Sequence, residues 1–321
     1  MAVIRTILGD IEPSALGATN SHDHLIRVGG GEVLVDDDHN LNSVDKAVEE
    51  ATYFVKAGGG AVIDMCPIYM GRDMDKLLEV NRRVPDLNIV AATGFHKGSL
   101  YMEQTFHWIS KYSVEEIAGL IVADIEEGID RYDYAGPIVD RSTARAGVIK
   151  AATGYGMITD FEKKQLEACA IAAIRTGASI NTHTTTGTMG LEQARMLIGF
   201  GVNPEKIAIG HIQRNNDPWY HKKITELGCY VEYDGTYRIK YLPDSSRIML
   251  IREMCDAGYQ DRILLGTDSG KRSYQKAWGS GTGIDYDLTI TGPRMTEEGF
   301  DPSVFEDLMV NNPARFFQLD R

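Results

Sequence analysis

Eight short apolar segments, rich in β-branched residues and spread along the whole chain, constrain the fold more than any other feature. They are Leu16–Leu25, Ala61–Pro67, Asn88–Phe95, Ala146–Ala152, Ala178–Thr184, Lys206–Ile212, Cys229–Tyr233 and Ile263–Asp268. Several are near-continuous apolar runs, the pattern of strands covered on both faces of a parallel sheet. Amphipathic stretches lie between them at Val44–Ala57, Asp73–Val84, Val114–Ile129, Asp160–Thr176, Gly190–Phe200, Trp219–Leu227 and Ser246–Ala257. Thr159-Asp-Phe-Glu162 is a capping box opening one of these helices, and Gly58, Gly128, Gly177 and Gly228 sit where helix C-caps belong. A last helix, Ser303–Val310, precedes Asn312-Pro313. Eight such units in 321 residues predict an α/β fold of the (β/α)8 TIM barrel type, as one domain over residues 1–321. A doubly wound sheet is the competing architecture, but neither GxGxxG nor GxxxxGK[ST] occurs. The two longer connections, Phe95–Ser113 and Ser269–Pro293, would both sit on the catalytic face of a barrel.

Composition excludes several classes. Lys plus Arg number 33 and Asp plus Glu 46, for a net charge of −13. With no basic block, the chain is a poor nucleic-acid binder, because such affinity comes from neutralising phosphates. The apolar runs are strand-length, far short of the roughly 20 residues that span a bilayer. Met1–Asp10 has no basic head followed by an apolar stretch, so the chain reads as cytoplasmic. Cys66, Cys169, Cys229 and Cys255 form no CxxC and are expected to stay thiols.

The histidines carry the functional signal. His22 and His24 form His-x-His at the end of the first strand, where residues two apart face the same way. His183, His211 and Asp268 end the fifth, sixth and eighth strands. A lone histidine at a strand end is ordinarily a hydrogen-bonded structural residue. Four histidines and an aspartate at matching ends point instead to a metal site, with donors suited to Zn, Fe, Mn or Co. Lys150 lies within the fourth strand. A buried lysine is costly unless paired or chemically changed. Spacing leaves three readings: an ion pair with Asp268 or another carboxylate, a Schiff-base lysine, or carboxylation by CO2.

The stretch Gly9–His24 resembles the N-terminal signature of the phosphotriesterase family of the amidohydrolase superfamily. Matches follow in family order at Gly71-Arg-Asp73, Ala146–Lys150, Thr182-His-Thr184, Ile209–Ile212, Gly266-Thr-Asp268 and Asn312–Phe316. Asp23 departs from the Glu that many relatives have between the two histidines. The resemblance implies a barrel with two divalent metal ions, usually zinc. His22, His24 and Asp268 would hold the more buried ion, and His183 and His211 the more exposed one. An N6-carboxylated Lys150 would bridge both, together with an attacking hydroxide, and Asp268 would shuttle its proton. A homodimer is a common assembly in such proteins.

The loops after strands seven and eight choose the substrate. They read Asp234-Gly-Thr-Tyr-Arg-Ile-Lys240-Tyr241 and Ser269-Gly-Lys-Arg-Ser-Tyr-Gln-Lys276, a local excess of cations in an acidic chain. A solvated loop surface is one reading. An anion pocket is the other, because Lys and Arg charges with Tyr hydroxyls suit phosphate or carboxylate. The loops also resemble the family branch that opens phosphorylated sugar lactones, which places Lys240, Lys271 and Tyr274 at the substrate phosphate, with Arg272 as a stand-in where the branch usually has Arg for Lys271. The expected activity is opening of a lactone such as a pentono-1,4-lactone 5-phosphate. The alternatives are hydrolysis of neutral esters, as by a phosphotriesterase or an acyl-homoserine lactonase, and a non-catalytic binding barrel. His39, His96, His107 and His221 lie outside the matched positions, although His96 and Lys97 follow strand three and can line the pocket. Tyr101, Trp108 and Trp278 sit in mouth loops where packing is as good a reading as closure over substrate. Asp64 is a candidate partner for a ligand, Cys66 a small buried hydrophobe, and Asp36-Asp-Asp38 a solvated loop.

Overall fold

The computed structural model describes residues 2–102 and 108–319; His107 lies outside the described residues. The strands are β1 (Val3–Thr6), β2 (Gly9–Ile11), β3 (Ala18–Asp23), β4 (Gly59–Asp64), β5 (Asn88–Gly94), β6 (Ala146–Thr153), β7 (Ser179–Thr184), β8 (Ile207–Gly210), β9 (Tyr230–Tyr233), β10 (Ile263–Leu265) and β11 (Gln318–Leu319). Strands β3 to β10 form one parallel sheet in sequential order, and each overlaps one of the eight expected segments. With helices between consecutive strands, this is a (β/α)8 barrel. Its seam, between β10 and β3, is closed by backbone and side chain together. Asp268 N–H donates to His22 O at 2.8 Å, and Ser269 N–H donates to the Asp23 carboxylate at 3.1 Å. Asp23 is thus a seam residue.

The connecting helices match the amphipathic stretches closely, Asp160–Thr176 to the residue, and Thr159 and Glu162 do make the capping box. A second capping box, Ser113 with Glu116, opens the helix Val114–Glu126 and was not anticipated. The last helix runs further than expected. Pro302–Glu306 passes through a π-turn at Asp307–Asn311 into Asn312–Phe316. Pro313 does not end it, because it follows directly on the π-turn, where the regular i to i−4 bonding is already interrupted.

Alternation along the strands sorts side chains into two cores. Outward residues such as Val62, Ile89, Ile149, Ile209 and Leu265 pack under the helices. Inward residues Ala61, Ile63, Val90, Val148, Ala208, Tyr230 and Leu264 fill the barrel, closed below by Ile4, Phe316 and Phe317. Ile4 arrives on a small antiparallel sheet, β11-β1-β2, that the sequence reading missed. Truncating Ile63 or Leu264 to alanine would cost about 2–5 kcal/mol. Further along the same faces, towards the strand C-terminal ends, the inward residues change from apolar to His22, Lys150, His183 and Glu232. The bottom of the barrel is a core and the top is a site.

Candidate metal centre

His22, Lys150, His183, His211 and Asp268 converge at the mouth, with His24 beside them, all lining one cavity of about 280 Å³. Lys150 Nζ lies 2.9 Å from His22 Nε2. The rings of His22 and His211 are 4.8 Å apart, and those of His183 and His211 are 4.5 Å apart. Ligand-type atoms of His22, His24 and Asp268 fall within 4.8 Å of one another. The backbone is shaped for this arrangement. His211 and Asp268 adopt φ of 57° and 48°, left-handed conformations that non-glycine residues avoid at about 1–3 kcal/mol each. Gly94 is required on β5, because a Cβ there would run into the carbonyl of Lys150.

Two carboxylates that the sequence reading did not single out fix the imidazoles. Glu232 lies 2.7 Å from His22 Nδ1, and Asp234 lies 2.5 Å from His211 Nδ1. Both come from the end of β9, two residues apart and facing inward. With Nδ1 engaged, Nε2 of each ring is turned to the site, as in carboxylate–histidine–metal arrangements. The i, i+2 rule that flagged His22 and His24 applies equally to Glu232-Tyr-Asp234. Asp64 accepts backbone N–H groups from Leu25 and Cys66, at 2.9 and 3.3 Å, and so shapes the turn after His24.

Burial, first of all, pushes His22, His24, His183 and His211 below the ordinary imidazole range, so they are neutral with lone pairs available. Burial likewise lowers Lys150 against the pull of Glu232, Asp268 and Asp234. No carboxylate among the described residues comes within ion-pair distance of Lys150, which disfavours the ion-pair reading. Burial opposes ionisation of Asp268, but the guanidiniums of Arg238 and Arg214 outweigh it and keep the carboxyl well below its usual range. Arg214 and Arg238 contact Asp268 Oδ2 at 3.2 and 2.9 Å. The buried Nδ1 of His24 has no hydrogen-bond partner among the described residues. Neutral imidazoles, an ionised carboxylate and an unpartnered ring nitrogen in one buried cluster are a donor set that fits divalent first-row metals.

The cavity is strongly cationic. Arg27, Lys97, Lys150, Arg214, Arg238, Lys240 and Lys271 line it, against the carboxylates of Glu32 and Asp268. Lys240 Nζ lies 3.3 Å from the Tyr274 hydroxyl, and Lys271 reaches the same wall. Arg272 does not line the cavity. Its guanidinium bonds Asn40 O and Asp37 at 2.7 and 2.9 Å and stacks over Trp278. The run Asp36-Asp-Asp38 is correspondingly no free solvated loop. Asp36 pairs with Lys271, Asp37 with Arg272 and Asp38 with Ser273, clamping the loop after β10. Tyr101 is buried and bonds Ile68 O at 2.8 Å, which makes it a packing residue. His221 is also structural, while His39 and His96 do reach the cavity.

This barrel and this cluster define a metal-dependent hydrolase of the amidohydrolase type. The chain belongs to the phosphotriesterase family, whose profile spans residues 2–317. It is 42% identical over 324 aligned residues to a phospho-furanose lactonase of Mycoplasmopsis synoviae, covering 98% of this chain and 92% of that one. The solved structure of an amidohydrolase from Mycoplasma synoviae superposes with a TM-score of 0.97 at 40% identity, covering 100% of this chain and 93% of the other. A lactonase from Listeria monocytogenes gives 0.92 at 31% identity, covering 99% and 100%. No helix among the described residues is long and apolar enough to cross a membrane.

Proposed function

We propose that this protein is a metal-dependent lactonase that opens a small sugar-acid lactone carrying a phosphate, such as a pentono-1,4-lactone 5-phosphate. The observation that carries the reading is the cavity wall: six Lys and Arg besides Lys150, against two carboxylates, in a chain of net charge −13. A cavity of about 280 Å³ is at the lower end of small-molecule sites, and its polar lining offers no seat for a long acyl chain or aryl groups.

In this reading His22, His24 and Asp268 would hold one divalent cation, most simply zinc, and His183 and His211 would hold the other. Lys150 would serve both as a carbamate, formed when its neutral amine adds to CO2 and releases a proton. The bound cations supply polarisation of the lactone carbonyl and a lowered pKa for water. The chain's own groups do the rest. Glu232 and Asp234 hold the imidazoles in one tautomer. Asp268, kept ionised by Arg238 and Arg214, accepts a proton from the water whose oxygen bonds to the lactone carbonyl carbon, and delivers it to the ring oxygen as the ring C–O bond breaks. Lys240, Lys271 and Tyr274 hold the phosphate, the lysines as point charges and the tyrosine as a hydroxyl donor.

The test is hydrolysis of pentonolactones, each with and without its 5-phosphate, by metal-loaded protein. The expected result is a kcat/KM about 100-fold or more in favour of the phosphate form, the worth of two charge-assisted contacts. Equal rates on both forms, or turnover of long-chain acyl lactones alone, would overturn the reading.

A further inference from the structure

The cavity wall carries a second arrangement, built on neither Lys240 nor Tyr274. Glu32, on the short helix Gly31–Val35, borders the cavity. Its Oε2 is held 2.9 Å from Nη1 of Arg27, a buried guanidinium that also contacts His39 Nδ1 at 2.9 Å. The other oxygen, Oε1, makes no hydrogen bond among the described residues and lies 3.7 Å from Nε2 of His96. The Nδ1 of His96 accepts the Lys97 backbone N–H at 2.7 Å. That places the ring proton on Nε2, the atom facing Glu32. An acceptor and a donor therefore face each other over a gap too long for a direct hydrogen bond.

We propose that Glu32 and His96 form a hydroxyl-binding subsite that selects a furanose ring hydroxyl, on carbon 2 or carbon 3, of the phosphorylated substrate. A hydroxyl oxygen can donate to Glu32 Oε1 and accept from His96 Nε2–H at once, and an alkyl position can do neither. Arg27 holds the carboxylate in place, so little order is lost when the ligand binds. The subsite rests on the proposed sugar-phosphate reading. It deepens that reading by requiring a polyhydroxylated ring held by two anchors, one for the phosphate and one for a hydroxyl. Water can make the same two bonds, so the subsite discriminates only when the rest of the ligand is already held.

The test uses the metal-loaded full chain and non-hydrolysable probes: a 1,4-anhydropentitol 5-phosphate and its 2-deoxy and 3-deoxy forms, titrated by calorimetry. The wild type is expected to bind one of the two deoxy forms about 10- to 100-fold more weakly than the parent, the range for a hydrogen bond to a charged group. In Glu32→Gln that preference shrinks to a few-fold, with metal content unchanged. His96→Leu, which removes the donor and leaves Arg27 paired, is expected to do the same. Equal binding of all three probes by the wild type, or a preference that survives in both variants, would overturn the subsite. If the preference holds while phosphorylated and neutral lactones are opened equally fast, the subsite stands and the substrate reading fails. Absence of binding by every probe counts against both.

Discussion

Asp268 donates its backbone N–H to the carbonyl of His22 at 2.8 Å, joining the two ends of the barrel at the point where both residues enter the site. The seam of the fold and the proposed metal centre are therefore the same place. Replacing Asp268 by Asn keeps the backbone bond, and Asn tolerates the left-handed φ of 48°. Asp268→Asn should then stay folded, with a melting temperature below that of the wild type by calorimetry, because Arg214 and Arg238 lose the charge they face. Its kcat should fall by about 100-fold or more, because the carboxylate that accepts the proton is gone.

Lys150 is 2% exposed and its Nζ points at His22 Nε2. Lys150→Met keeps the length of the side chain and removes the amine that CO2 must capture. The protein should bind fewer than two metal ions by emission spectrometry and lose turnover. Its metal-free form should be at least as stable as the wild type in urea, since a buried ammonium is costly. Wild type reconstituted without CO2 should also be metal-poor and recover on adding bicarbonate. Full metal occupancy in Lys150→Met would rule out the bridging role.

Asp234 meets His211 at Nδ1, at 2.5 Å, and accepts its backbone N–H, at 3.0 Å; its Oδ2 also lies 3.6 Å from His22 Nδ1. Asp234→Asn removes the charge that orients the ring. The expected loss is about 10- to 100-fold in metal affinity, read by competition with a chromogenic chelator. An unchanged affinity would show that backbone geometry alone sets His211.

Lys240 and Arg272 separate the phosphate pocket from the loop clamp. Lys240→Ala should raise KM for the phosphorylated lactone by about 10- to 100-fold and leave the neutral lactone unchanged, since one charge-assisted contact is lost. Arg272→Ala should leave both substrates within a few-fold of wild type, because its guanidinium is spent on Asp37 and Asn40 O. The reverse order would move the phosphate to Arg272.

Much of this was legible in the chain. The eight strands are apolar on their outward faces and were visible as runs; the strand ends carry His22, His24, His183, His211 and Asp268 because inward polar residues collect at one end of a barrel. What was not legible depends on pairing. Strands β1, β2 and β11 have only two to four residues each, too short for a periodic signal, and are defined by meeting one another. Arg272 and Lys271 are neighbours with the same charge, and only the fold sends one to Asp37 and the other to the cavity. Glu32 lies outside every matched motif, a short way after His24, and nothing in its surroundings in the sequence hints at His96.

His221 provides a pH test away from the proposed metal site. It lies on the helix Pro218–Thr225, with Nε2–H donating to Asn215 O at 2.9 Å and Nδ1 accepting the Tyr233 hydroxyl at 2.8 Å. Burial drives its pKa down to about 4, against the pull of the Asn215 and Ile212 carbonyls and of Asp217. The unfolded chain titrates near 6.5. A depressed histidine contributes stability that is complete above about pH 6.5 and is lost as pH falls towards 4, because only the unfolded chain takes up the proton in that window. Between about pH 6.5 and 5 the loss amounts to about 2 kcal/mol. Urea unfolding of the wild type and His221→Gln at about pH 7 and about pH 5 isolates this contribution. The variant should be less stable at neutral pH and should lose about 2 kcal/mol less on acidification. Parallel pH profiles for the two proteins would show that His221 titrates normally in the folded state, and that the Tyr233 and Asn215 contacts do not hold it neutral.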